Sequence, residues 1–335
     1  MSAVTPAAES RFSSLRKLIQ RRVSWLPVGA AVLILILMFV AGQSYFGRFL
    51  TPRLLSSLLV DNAYLIVLAA GMTFVILTGG IDLSVGAVMA FTGMLAAKLL
   101  STGVPTGVVI PLMIASGAIF GLIVGVLVNY FDVQPFIASL AGMFLARGLC
   151  FVVSLEAIQV KDTTVLGLQS VKLGTFEWYI TPTGIIALLV IVIAAWVLGY
   201  TRFGRTVYAI GGNEQSARLM GLPVARTKVL VYVISGICAG VAGLLFTAYT
   251  AAGYSLNGIG TELDTIASVV IGGTLLAGGS GYVIGSLIGV LVYGVIKVSI
   301  TFLGADSSWT RITIGILLLV FVVVQRVLVA RGSRR

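Results

Sequence analysis

The sequence predicts an all-α polytopic membrane protein of about ten transmembrane helices in two related halves. Three observations predict it. First, 59% of the 335 residues are hydrophobic and only 10% are charged, against about a quarter charged in soluble domains, and the mean hydropathy is +1.11. Second, apolar runs near 20 residues recur along the whole chain. At ~1.5 Å per residue, each is long enough to cross a hydrocarbon core of ~30 Å. Third, paired-glycine clusters interrupt the apolar pattern at matching places in two stretches, 51–154 and 227–329.

The spans, in order, are read as 26–46, 54–78, 83–100, 105–129, 134–154, 180–200, 227–252, 264–279, 282–303 and 309–329. The first is too long and too late for a signal-peptide core, and no small-residue cleavage site follows it, so it is read as a retained span. A polar tail (1–24) precedes a single transmembrane domain (25–330), and a short tail (331–335) follows it. The basic residues fix the orientation. The N-terminal tail carries Arg11, Arg16, Lys17, Arg21 and Arg22; the 201–228 loop carries Arg202, Arg205, Arg218, Arg226 and Lys228; the C-terminus carries Arg326, Arg331, Arg334 and Arg335. These five, five and four residues make fourteen of the 22 Lys and Arg. Ten spans put all three segments on one side, which the positive-inside rule makes cytoplasmic. The opposite side receives the 155–179 loop and the 253–263 loop with Glu262. Topology therefore accounts for the net charge of +11, and no nucleic-acid partner is expected. Tyr45, Phe46, Trp178, Tyr179, Tyr200, Phe203 and Trp309 fall where interfacial aromatic belts are expected.

The chain contains no histidine. That excludes His-based zinc sites, Ser–His dyads and imidazole relays. Cys150 and Cys238 lie in apolar segments with no metal spacing. No metal or cofactor is expected. The Walker A pattern G-x-x-x-x-G-K-[ST] does not occur, so no ATP site is expected on this chain.

Many of the 40 glycines recur at small-xxx-small spacing, as at Gly117/Gly121/Gly125, Gly236/Gly240 and Gly281/Gly285/Gly289, which lets helices approach closely. Two clusters differ. GGIDLSVG (79–86) supplies Gly79, Gly80 and Gly86 between spans two and three. GGTLLAGGSGYVIG (272–285) supplies Gly272, Gly273, Gly278 and Gly279 between spans eight and nine. Glycine-interrupted segments at corresponding positions of two halves point to an internal repeat and a transport path.

Polar residues within spans are the candidates to line such a path: Asp61, Asn62, Thr73, Asp82 and Ser84. For Asp82 a second reading stands, as a helix cap beside Ser84. Arg147 and Lys297 are read as buried ion partners or as snorkelling side chains.

The 201–228 loop carries a short helix of its own. Asn213 suits the N-cap, Glu214 complements the positive helix end, and Gln215 to Met220 favours helix. Gly221 is placed for C′, and Pro223 blocks continuation. About two turns are unstable alone in water, so the helix needs a surface to pack on. Ala217 and Met220, with Leu219, offer an apolar face, and Arg205, Arg218 and Arg226 surround it with positive charge. One reading is a surface helix lying on its own loops or on lipid headgroups; the other is a helix presented to a soluble partner.

Four blocks resemble the permease subunits of bacterial ABC sugar importers of the ribose/galactofuranose type. They are DNAYLIVLAAGMTFVILTGGIDLSVGAVMAFTG (61–93), QPFIASLAGMFLARG (134–148), TRFGRTVYAIGGNEQSARLMGL (201–222) and ELDTIASVVIGGTLLAGGSGYVIGSLIG (262–289). Within that group the galactofuranose-type permease is most similar. The resemblance covers nearly the whole chain from about residue 25. It implies a protein of the bacterial inner membrane with both termini cytoplasmic, carrying a monosaccharide inward. It implies three kinds of partner: an ABC ATP-binding subunit that itself binds ATP, a periplasmic sugar-binding protein, and a second permease, identical or homologous. It also implies that Asn213–Gly221 is the coupling helix, with Gly212, Asn213, Glu214, Gln215, Ala217, Arg218, Gly221 and Arg226 contacting the ATPase. Glu214-Gln215-Ser216-Ala217 departs from a literal Glu-Ala-Ala there. Two alternatives belong to other classes. One is a secondary transporter coupled to an ion through Asp61 or Asp82. The other is an intramembrane protease, disfavoured because it lacks histidine and has only Asp61 and Asp82 to serve as an aspartyl pair.

Overall fold

The computed structural model describes residues 27–47, 49–306 and 308–332, the last nine as backbone alone. The tail expected over 1–24 lies outside the described residues, as does most of the 331–335 tail. The described chain is mostly helical. Six helices are long and apolar enough to cross a membrane: α1 (Pro27–Phe46), α5 (Thr106–Tyr130), α6 (Pro135–Val153), α8 (Pro182–Tyr200), α11 (Val224–Thr250) and α13 (Val283–Phe302). A bent pair, α2 (Pro52–Asp61) and α3 (Ala63–Leu77), makes a seventh if taken as one span. Between and beside these lie α4 (Val85–Ser101), α7 (Thr163–Ser170), α9 (Arg202–Gly212), α10 (Glu214–Leu219), α12 (Thr261–Ile271) and α14 (Ser308–Gly332).

The second span is one sequence run but two helices. Thr51 caps α2 by accepting from the Leu54 N–H, and Pro52 opens the helix. At its end the Asn62 amide donates to the Leu58 carbonyl at 2.8 Å. That side chain occupies the backbone acceptor, and the chain bends by 56° into α3. All but one of the residues of α3 are buried, which is why it is apolar on every face. It packs on α11, the other central helix, whose 27 residues span about 40 Å.

Glycine sets the closest approaches. On α5, any side chain at Gly117 or Gly121 would strike the α11 backbone at Gly236 and Tyr232, so the two helices cross backbone to backbone. Gly285 and Gly289 of α13 meet Gly272 and Ser268 of α12 in the same way.

The two glycine clusters are non-helical breaks. The first, residues 78–84, turns back from the end of α3 to the start of α4. The second corrects the eighth span: helix covers only Thr261–Ile271, and residues 272–282 run as loop before α13. The cause is local, since Gly273, Gly278 and Gly279 all take positive φ, which ends the helix and keeps it from restarting.

The connections at 155–179 and 251–260 are more structured than expected. The 155–179 loop contains α7, capped by Asp162 onto the Val165 N–H. It also contributes β1 (Ile158–Gln159), which pairs antiparallel with β4 (Ala252–Gly253), and the hairpin β2 (Leu173–Gly174) with β3 (Tyr179–Ile180). Arg147 is neither an ion partner nor a free snorkelling chain among the described residues. Its Nη1 donates to the carbonyls of Ser255 and Asn257, both at 2.7 Å, and ties α6 to the 251–260 connection.

Candidate functional site

The polar loop 201–228 folds into a helical elbow, α9 then α10, packed against α8, α3 and the start of α11. Helix α9 was not expected from sequence, because Gly204, Gly211 and Gly212 weaken helix propensity. Two signals were present: Thr201 as a cap, which accepts from the Gly204 N–H at 3.1 Å, and the buried set Gly204, Val207 and Ile210 at helical spacing.

Helix α10 covers Glu214–Leu219, one residue shorter than expected at its end, with Met220 as C-cap. Asn213 caps it, accepting from the Ser216 N–H at 2.7 Å, and Gly221 takes φ +75° in the C′ position. Ala217 is fully buried and packs with Ile210 of α9 and Val224 of α11. Leu219 and Met220 do not share that face: they are 84% and 68% exposed. The expected apolar face is thus divided. One residue holds the helix to its own protein, and two project away.

Glu214 is already paired within its own chain. Its carboxylate accepts from Arg218 at 2.6 Å and from Lys228 at 3.1 Å. Burial pushes its carboxyl up, but the hydrogen bonds from Arg218 and Lys228 outweigh that and hold it below the usual carboxylate range. Gly212, Gln215, Arg218 and Arg226 are exposed around the helix.

The elbow meets both glycine breaks. The Gly279 N–H donates to the Leu77 carbonyl at 2.9 Å, joining the second break to the end of α3. Gly211, the penultimate residue of α9, sits on this junction: a Cβ there would strike the Leu77 carbonyl and Gly279. The Tyr208 hydroxyl, one turn earlier, donates to the Gly281 carbonyl at 2.8 Å. Gly79 and Gly278 face each other across the same contact. Gly86 lies against the Glu262 carboxylate, and Gly273 against Pro27 and Val28.

Of the five polar span residues, four have their side chains engaged inside the bundle. Asp82 is buried, and its carboxylate accepts from the Ser84 N–H at 3.0 Å, the Ser84 hydroxyl at 2.6 Å and the Ser235 hydroxyl of α11 at 2.8 Å. It fastens the first break to the central helix. Thr73 of α3 is bonded to Ser286 of α13 at 2.7 Å and donates to the Ala69 carbonyl. Asn62 makes the bend described above. Asp61 alone is partly exposed. Sequence reading passed over Asp264, Tyr293 and Arg311, which join Lys297 around a cavity of 490 Å³. These residues come from three helices, α12, α13 and α14, so no single motif carries them.

Comparison with known proteins adds a family and close relatives. A family model described as branched-chain amino acid transport system / permease component matches residues 54–322. The fructose import permease protein FruG of Bifidobacterium longum is 43% identical, over 98% of this chain and 99% of its own length. The inner membrane ABC transporter permease protein YjfF of Escherichia coli is 44% identical, over 91% and 94%. The ribose import permease protein RbsC of Escherichia coli is 35% identical, over 90% and 94%.

Proposed function

The chain belongs to the branched-chain amino acid transport system / permease component family, and from that premise we propose that it is the membrane-spanning permease of an ATP-driven importer of a monosaccharide. The names of its relatives support a pentose or hexose as cargo; galactofuranose is the finer expectation carried by the sequence blocks. ATP is bound and hydrolysed on a separate subunit, and this chain converts that subunit's closure into a change of access. A binding protein delivers the sugar, and a second permease completes the path.

In this reading the chain crosses the inner membrane ten times: α1, the bent α2–α3, α4, α5, α6, α8, α11, α12 with its glycine break, α13 and α14. The α9–α10 elbow lies in the cytoplasm with both termini. Leu219 and Met220 enter an apolar groove of the ATPase, with Gln215, Arg218 and Arg226 around them and Asn213, Ala217 and Gly221 shaping the helix. Asp61 faces the path, while Asn62, Thr73, Asp82 and Ser84 hold its frame.

The observation that carries the reading is the junction at Gly211. The docking helix begins three residues beyond Gly211, whose backbone bears on Leu77, where α3 ends and the first break begins, and on Gly279 of the second break. A push on α10 therefore acts on both breaks together. The sugar moves only if the two states differ in their contacts with it and with the ATPase.

The test uses membrane vesicles containing this chain, with and without the co-expressed ATPase and binding protein. Uptake of labelled D-fructose and D-ribose is expected only with ATP and all partners present, and the ATPase is expected to co-purify. Uptake driven by an ion gradient, unaffected when residues 213–221 are scrambled, would sink the reading in favour of a secondary transporter.

A further inference from the structure

The cavity bordered by Asp264, Tyr293, Lys297, Thr301, Thr310 and Arg311 lies at the end of the protein away from α10. Helix α13 begins at Val283, beside the Tyr208–Gly281 contact. Its 20 residues carry Lys297 and Thr301 about 20–30 Å from that point. The cavity is thus where cargo would arrive from outside. Its volume of 490 Å³ falls within the ~300–1,000 Å³ of small-molecule sites.

The lining chemistry is specific. Tyr293 donates to the Asp264 carboxylate at 3.1 Å, leaving the other carboxylate oxygen with no hydrogen-bond partner among the described residues. Lys297 and Arg311 supply donors, and among the described residues neither makes an ion pair. Thr301 donates its hydroxyl proton to the Lys297 carbonyl at 2.9 Å and so offers the cavity an acceptor, Thr310 carries a hydroxyl able to donate and accept, and Ile300 and Ile314 add an apolar wall. The wall thus presents two cationic donors, Lys297 and Arg311, and one carboxylate acceptor, Asp264. A cation would meet the two basic groups, and a bare anion would leave the free Asp264 oxygen facing like charge. A neutral molecule with neighbouring hydroxyls can satisfy both kinds of group. Ionisable groups within a membrane protein are costly to keep and mark solute paths.

We propose that this cavity is a receiving site for a neutral monosaccharide, with Asp264 and Tyr293 as its hydroxyl-recognising pair and Lys297 and Arg311 as donors opposite. The proposal rests on the importer reading and adds to it a built sugar site in the permease itself, in addition to the binding protein.

Saturation-transfer NMR on the purified full-length permease in nanodiscs, with D-fructose, D-ribose and D-ribose 5-phosphate as probes, tests it. A neutral sugar is expected to bind weakly, and Asp264→Asn and Tyr293→Phe are each expected to weaken it about tenfold or more. Tyr293→Phe keeps the ring and the packing, so an unchanged melting temperature separates lost recognition from lost folding. In the complete importer the same variants should raise the sugar concentration for half-maximal uptake while ATP hydrolysis and ATPase co-purification stay as in the parent. Equal binding by parent and variants, no neutral-sugar signal, or preference for the phosphorylated sugar would each overturn the proposal. A parent complex that lacks ATP-driven uptake yet binds sugar here would overturn the importer reading and leave the site standing.

Discussion

Truncating Leu219 and Met220 together to alanine should detach the ATPase and leave the permease folded. Both side chains stand clear of their own protein, at 84% and 68% exposure, so their removal should change its stability by no more than about 0.5 kcal/mol. In a docked complex they would be buried. Burying a leucine or methionine side chain is worth about 1.5–3 kcal/mol, and alanine retains the first carbon, so each truncation should remove about 1–2 kcal/mol. The pair should cost about 2–4 kcal/mol, which at about 1.4 kcal/mol per decade is a ~30- to 1,000-fold loss of affinity. The assay is titration of the immobilised, detergent-solubilised permease with purified ATPase subunit, with the melting temperature recorded in parallel. Ala217→Asp is the contrast: it sets a carboxylate among Ile210 and Val224 and should lose both docking and thermal stability. Affinity within threefold of the parent for the double truncation, with normal uptake, would refute the assignment of these side chains to the interface.

Three further outcomes are expected. Gly211→Ala inserts a methyl against the Leu77 carbonyl and Gly279; it should leave ATPase co-purification intact while reducing sugar uptake at least tenfold, read as ATP hydrolysed per sugar moved. Asp82→Ala strands three buried donors, from Ser84 and Ser235; it should cost about 3 kcal/mol or more, read as a lower denaturant midpoint in SDS titration, with Asp82→Asn costing less because it keeps an acceptor. The Glu214 carboxyl is held below its ordinary 4.5 by Arg218 and Lys228, so its contribution is complete above that value and is lost as pH falls through the lower folded one. Amide protection of 214–219, corrected for intrinsic exchange, should therefore be flat from pH 8 to 5 and fall on further acidification, and Glu214→Gln should remove that dependence.

Long elements were legible because apolar length alone specifies them: α1, α5, α6, α8, α11 and α13 all fall within a few residues of the runs read from sequence. Errors arose where backbone conformation overrode hydropathy. Residues 264–279 read as one apolar run, yet glycine at positive φ stops the helix at Ile271. The bend at Asn62 depends on one amide reaching back to Leu58, which no periodicity signals. Helix α10 was legible because its cap and stop are local, whereas the direction of Leu219 and Met220 was not. That direction depends on Ala217 seating against Ile210 and Val224 from two other helices. Polar span residues were recognisable as unusual, but their roles depend on distant partners: Ser235 for Asp82 and Ser286 for Thr73.

The junction of Gly211, Leu77 and Gly279 also governs stiffness. A joint between side chains has slack, because rotamers shift and absorb a displacement before passing it on. Here main chain bears on main chain, and only peptide geometry separates the surfaces. Small movements of the elbow should therefore reach both breaks almost undiminished and at the same moment. A joint without compliance also tolerates no spacer, so even one added methyl would act as a wedge, holding the breaks in one of their two arrangements.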